Sequence, residues 1–151
     1  LSHRVRSRLG YPFRFVELAQ EINASMPAYV STRVGDLLNE VGRAVRGSTV
    51  LLAGVTYKPD IADQRESPAV AVAQRLMKLG ATVLWHDPFV DSWRVEGTVD
   101  ADDDVLVAAA AADVTVLLVH HSVYDPDEIA AAAPLLLDTR GVTGTGTANR
   151  L

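Results

Sequence analysis

The 151-residue chain contains no cysteine, which excludes disulfides, thiolate metal sites and a cysteine nucleophile, and leaves the redox compartment open. Lysine is nearly absent too: Lys58 and Lys78 stand alone, and the other basic residues are arginines. With 14 Lys and Arg against 19 Asp and Glu, the formal net charge is -5. That balance argues against nucleic acid or a membrane surface as a general partner, because phosphate-rich surfaces attract a surplus of basic side chains. An anionic ligand must then be met by a local site. No apolar run approaches the roughly 18 residues that suggest a bilayer span. The opening stretch LSHRVRSRLGYPFRF is basic and aromatic and lacks the apolar core of a secretory signal. A cytoplasmic setting is the default expectation. The chain opens on Leu1 rather than Met and is read as part of a longer protein. A composition of 48% hydrophobic and 22% charged residues over this length fits one soluble domain with a real core, not two.

Apolar residues recur at helical spacing from Phe15 through Leu18, Ile22 and Met26, then Val30, Val34, Leu37 or Leu38, Val41 and Val45. Pro27 is expected to divide them near NASMP, as a kink or as a stop and restart with Ser25 as a cap. TVLLAGV (Thr49 to Val55), ATVLWH (Ala81 to His86), VTVLLV (Val114 to Val119) and LLLD (Leu135 to Asp138) are short, nearly continuous apolar runs. Such runs mark parallel strands buried on both faces. Ser67 as cap, Pro68 in the first turn and Gly80 after Leu79 bracket a helix between the first two strands. SWRVEG reads as a short strand, the acidic DADDD as the solvated start of an Ala-rich helix over Val105 to Ala112, and Asp125-Pro126 as the opening of a helix reaching Ala133. The fold class is α/β, a Rossmann-like doubly wound parallel sheet preceded by a helical segment. The organisation expected is a helical segment at 1–46, a ligand-binding domain at 47–142 and a disordered tail at 143–151.

Ligands of such sheets bind beyond the carboxyl ends of the strands. Three polar clusters fall there: the loop from Thr56 to Glu66, HDP at 86–88 and DTRG at 138–141. The first strand is followed by Gly54 without a G-x-G-x-x-G, so backbone amides alone do not make a dinucleotide site here. The loop instead offers the cations Lys58 and Arg65 close to a helix start. Taken singly, Lys58 is a solvated lysine, Arg65 a partner of Asp63 or Glu66, and Arg140 a surface residue. Their shared edge of the sheet raises the alternative, a phosphate-binding site. His120 and His121, as neighbours along a loop, diverge rather than chelate, so no metal is assigned.

GVTYKPDIADQRESPA (Gly54 to Ala69) with GATVLWHDPFV (Gly80 to Val90) resembles the carboxy-terminal UDP-binding domain of the UDP-glucose/GDP-mannose dehydrogenase family. LGYPFRFVELAQEINASMPAYV (Leu9 to Val30) is similar to the segment that joins the family's catalytic cysteine loop to that domain, and LLLDTRGV to its last strand. The resemblance extends to Val142. YKPD, RESPA, HDPFV and INASMP look most like the dehydrogenases of UDP-N-acetylated hexosamines such as UDP-N-acetyl-mannosamine, with UDP-glucose 6-dehydrogenases the nearest alternative. The resemblance implies oxidation of a sugar C6 alcohol to the uronate by two hydride transfers to NAD through a cysteine, for polysaccharide synthesis, in a homodimer. By the same resemblance Tyr57 and Lys58 contact the nucleotide-sugar, Arg140 holds the UDP portion, and Arg65 reaches toward the pyrophosphate of NAD bound mainly by another domain. Asp63 and Glu66 orient the cations.

Departures accompany the resemblance. The chain has no cofactor fingerprint, no catalytic Cys and no upstream Lys and Asn of the oxyanion site, so no catalytic residue is assigned within it and it is expected to be inactive alone. His120 stands where relatives often carry Asp. The rival readings are a non-catalytic remnant or regulatory binding module and a small nucleotide-binding protein with chemistry of its own, for which no nucleophile with a positioned partner is visible.

Overall fold

Period-two alternation inside short apolar runs builds the sheet and sorts its two faces. In the computed structural model, which describes residues 14–144 and 149–150, the strands are β1 (Thr49–Ala53), β2 (Thr82–His86), β3 (Val99–Asp100), β4 (Val114–Leu117), β5 (Leu136–Asp138) and β6 (Asn149–Arg150). They form one sheet in the order β3-β2-β1-β4-β5-β6, every pair parallel. This is the doubly wound order, with its switch between β1 and β4.

Val50, Leu52, Val83, Trp85, Val114, Val116 and Leu137 face one layer, made by α1 (Arg14–Glu40) and α2 (Ala69–Leu79). Leu51, Ala53, Leu117 and Leu136 face the other, made by α3 (Val105–Ala111) and α4 (Pro126–Ala132). The small side chains Ala108, Ala109 and Ala130 let α3 and α4 sit close to the sheet. Among the described residues no helix is long and apolar enough to cross a membrane.

Four expectations need correction. Of the two alternatives at Pro27, the stop and restart is overturned: a single helix runs through it. Pro27 removes the amide that would bond the Asn23 carbonyl, but the Ser31 hydroxyl donates to the Pro27 carbonyl at 2.8 Å, and Val30, Val34, Leu37 and Leu38 anchor the following turns in the core. Ser25 is no cap: its hydroxyl donates to the Ile22 carbonyl within the helix. The helix stops at Glu40, short of Val45, because Gly42 turns left-handed and the Arg43 amide closes on the Leu38 carbonyl at 2.8 Å. Trp93 to Gly97 is not a strand; Trp93 and Val95 are core plugs between tight turns, and the third strand is β3 just beyond Gly97.

The strand runs at 49–55 and 114–119 are shorter than their apolar stretches, since Val55, Leu118 and Val119 already belong to the loops at the sheet's carboxyl edge. Asp104 caps α3 through the Leu106 amide, and Asp125 caps α4 through the amides of Asp127 and Glu128. Of the expected disordered tail, Thr143 is buried and Asn149–Arg150 pair with β5, while 145–148 and 151 lie outside the described residues.

Candidate functional site

The loops after β1 and β4 diverge around a crevice of about 530 Å³ at the switch point. Gly54 sets how close they come. With φ at 79°, it lies where a Cβ would stand 2.4 Å from the Val119 carbonyl oxygen, so neither its conformation nor its surroundings accept a side chain. Past it, Thr56, Tyr57 and Glu66 form one wall and Thr139 with Arg140 the other. Ser67, Pro68 and Ala69 at the head of α2 form the back, and Asn23 and Pro27 reach in from α1. The Ser67 hydroxyl accepts from the Ala69 amide and donates to the Thr56 carbonyl, each at 3.3 Å, tying the helix head to the loop.

The backbone of the loop that carries Arg140 is held by the carboxylate two residues before it. Asp138, buried at the end of β5, accepts from the amides of Arg140, Gly141, Val142 and Thr143 and from the Thr143 hydroxyl, all between 2.7 and 2.9 Å. Burial alone would raise this carboxyl's pKa; the convergent donors from Thr143, Arg140 and Gly141 outweigh it and hold the pKa below the ordinary 3.8. The Thr139 hydroxyl donates to the Leu117 carbonyl at 2.7 Å and pins the same loop to β4.

The wall carrying Tyr57 is organised from the opposite side. Asp87, after β2, takes the amides of Val55 at 2.7 Å and Thr56 at 3.1 Å on one oxygen and that of Phe89 at 3.0 Å on the other. Desolvation raises its pKa, and the His121 bond with the Phe89 and Val55 amides more than reverses this, so the carboxyl is held ionised. The loop folds back on itself through the Tyr57 amide to the Asp63 carbonyl at 2.7 Å. Two of its non-glycine residues, Asp60 and Glu66, sit at positive φ, 59° and 58°, a conformation costing such residues about 1 kcal/mol each.

The structure brings Tyr57 and Arg140 into the same crevice. Lys58 places its ammonium 6.0 Å from the centroid of the Tyr57 ring, beside that wall. Arg65 is not in the crevice: its side chain is 88% exposed and forks onto Asp63, Nε to Oδ1 and NH2 to Oδ2, both at 2.8 Å. That fork draws the Asp63 pKa down to about 2. Of the two expected orienting carboxylates, Asp63 holds the Arg65 guanidinium by hydrogen bonds, while Glu66, in the crevice lining, acts on it through space.

His120 and His121 diverge as expected, His120 toward the Tyr124 carbonyl and His121 into the interior. Sequence reasoning missed Thr56, Asp87, His121 and Asp138 as organisers of the site. HDP and DTRG did mark two of them, as acids just past a strand end and before a turn residue.

A second crevice, of about 360 Å³ beyond β2 and β3, is lined by Asp87, Asp91, Asp100, Asp102 and Asp103. These carboxylates repel a phosphate, whereas the switch-point crevice has the cation Arg140 in its lining. Among the described residues no three His, Asp or Glu side chains are grouped to hold a metal ion.

The sequence profile of the UDP-glucose/GDP-mannose dehydrogenase family, UDP binding domain, matches residues 51–145. The chain belongs to this family. A UDP-N-acetyl-D-mannosamine dehydrogenase of Methanococcus maripaludis is 31% identical over 137 residues, covering 85% of this chain and 30% of the relative. A UDP-glucose 6-dehydrogenase of Rhizobium meliloti is 33% identical over 139 residues, 87% of this chain and 31% of the relative. Among solved structures, an NDP-N-acetyl-D-galactosaminuronic acid dehydrogenase from Methanosarcina mazei superposes with a TM-score of 0.71 at 27% identity, over 82% of this chain and 27% of that one. The chain thus spans under a third of the length of these relatives, and within this dehydrogenase family it corresponds to the UDP-binding domain.

Proposed function

We propose that the chain is the nucleotide-sugar-binding portion of an NAD-dependent UDP-sugar 6-dehydrogenase acting on a UDP-N-acetylhexosamine. The observation that carries this reading is Arg140, which lines the switch-point crevice with Tyr57 and the head of α2 and whose backbone amide is held by Asp138. A guanidinium meets diphosphate oxygens in pairs, and Lys58 adds a point charge at the rim. Tyr57 offers a half-exposed ring for the base or sugar. NAD supplies the hydride acceptor when bound. The loop after β1 does not fit its pyrophosphate, since side chains fill the positions that a glycine-rich turn leaves open, and Arg65, outside the crevice, is the residue of this chain that would meet it across a domain boundary. Having no cysteine, the chain turns nothing over by the thiol route on its own. A cytoplasmic enzyme making uronates for polysaccharide, with a homodimer as its working form, is the setting this implies.

Calorimetric titration with UDP tests the assignment. Arg140→Ala is expected to weaken binding about ten- to a hundredfold, the scale of a lost charge-assisted bond, and Lys58→Ala by less. Wild-type affinity in both variants would refute these roles.

A further inference from the structure

Loops leaving three adjacent strands meet on one imidazole that does not touch the crevice. His121, fully buried after β4, places Nε2 3.0 Å from Asp87 Oδ2 beyond β2 and 3.4 Å from Thr56 Oγ1 beyond β1. Its Nδ1 accepts the Asp60 amide at 3.0 Å. A ring nitrogen that accepts an N–H carries no proton, so the ring's proton is on Nε2 and points at Asp87. The rest of the pocket leaves the ring little freedom: Phe89 packs against it tilted by 36° at 5.0 Å between centroids and Tyr124 closes edge-on at 5.4 Å. Asp60 returns the contact, since its Oδ1 takes the amide of Ser122, the residue after the histidine, at 2.8 Å.

The held segment is the one that matters for the ligand. Asp60 sits at φ 59°, a left-handed geometry that aspartate adopts more readily than most residues but still at a cost, which the bonds around it offset. At the other end of the same turn, the Thr56 hydroxyl donates to the Lys58 carbonyl at 3.1 Å. Tyr57 and Lys58 are thereby slung between Thr56 and Asp60, and both ends of the sling run back to the His121 and Asp87 pair.

We propose that His121 is a positioning residue for the anion-binding loop: Asp87 selects its Nε2–H tautomer, which presents Nδ1 as the acceptor that holds the Asp60 turn and so fixes Tyr57 and Lys58 opposite Arg140. A histidine that merely filled the core would be served equally by any neutral side chain of similar size. This one is required for the acceptor at Nδ1, a more demanding condition. The inference rests on the crevice being the UDP site, and its test separates the two.

Two amide variants divide the ring's duties. His121→Asn sets an amide oxygen near the place of Nδ1 and gives up the bond to Asp87; His121→Gln reaches the place of Nε2 and gives up the acceptor for Asp60. Hydrogen exchange by NMR is expected to find the Asp60 amide protected in wild type and in His121→Asn, and unprotected in His121→Gln. UDP affinity should stay within about threefold for His121→Asn and fall about tenfold for His121→Gln, the scale of one lost buried hydrogen bond. The imidazole nitrogen spectrum of the unmutated chain should show Nε2 protonated and Nδ1 bare, a readout that needs no variant to fold. A protonated Nδ1, an Asp60 amide still protected in His121→Gln, or equal loss of affinity in both variants would overturn the proposal. If the unmutated chain binds no UDP, the proposed function fails, while the exchange and nitrogen spectra still decide what His121 does.

Discussion

Single carboxylates organise the loops at this edge of the sheet. Asp138 collects four amides and a hydroxyl, and that arrangement fixes the backbone of the loop that carries Arg140. Folding lowers the Asp138 pKa, so the native state releases this proton more readily than the unfolded chain does. Its stabilisation is therefore complete above the ordinary value of 3.8 and is lost as pH falls below it through the folded value. Asp138→Asn should lower stability by about 2 to 4 kcal/mol at neutral pH and flatten the acid limb of a stability-against-pH curve measured by urea unfolding. An unchanged acid limb would mean that the carboxylate is not the acceptor described.

Gly54 supplies a second prediction at this scale. Adding a methyl group there drives it into the Val119 carbonyl, and Gly54→Ala should cost about 3 kcal/mol or more in the same assay. DTRG and HDP were legible as acids at strand ends, but not the work of Asp87 or His121. Their partners lie 31 to 65 residues away, and become neighbours only because β1 is sandwiched between β2 and β4.

At the scale of elements, local signals served where they agreed with packing. Buried parallel strands appear as unbroken apolar runs, and Ser67, Asp104 and Asp125 announce helix starts through their side-chain oxygens. β3 has two residues, both exposed, and carries no such signal. The stop and restart offered as one alternative at Pro27 failed for the opposite reason: the local cost is real, and the burial of Val30, Val34, Leu37 and Leu38 outweighs it. That burial also makes the carboxyl half of α1 part of the core. Leu38→Ala should therefore cost about 2 to 5 kcal/mol, as a fully buried leucine does; a loss under about 0.5 kcal/mol in chemical unfolding, typical of surface sites, would contradict α1's place in the core. The amino half of the same helix leaves Phe15, Leu18 and Ile22 exposed.

Across the whole molecule, charge and topology point to one end of the sheet. The chain is net acidic, its carboxylates crowd the crevice beyond β2 and β3, and Arg140 faces the switch-point crevice between β1 and β4. On the proposed reading an anion is met at the switch-point crevice, and the missing glycine fingerprint favours a nucleoside diphosphate gripped by side chains over a dinucleotide cradled on amides. The most direct measurement is a calorimetric titration of the purified chain with UDP and, separately, with NAD. Saturable binding of UDP with no comparable response to NAD is the predicted result. Binding of NAD in preference to UDP, or no heat and no thermal stabilisation with UDP at millimolar concentration, would contradict the account.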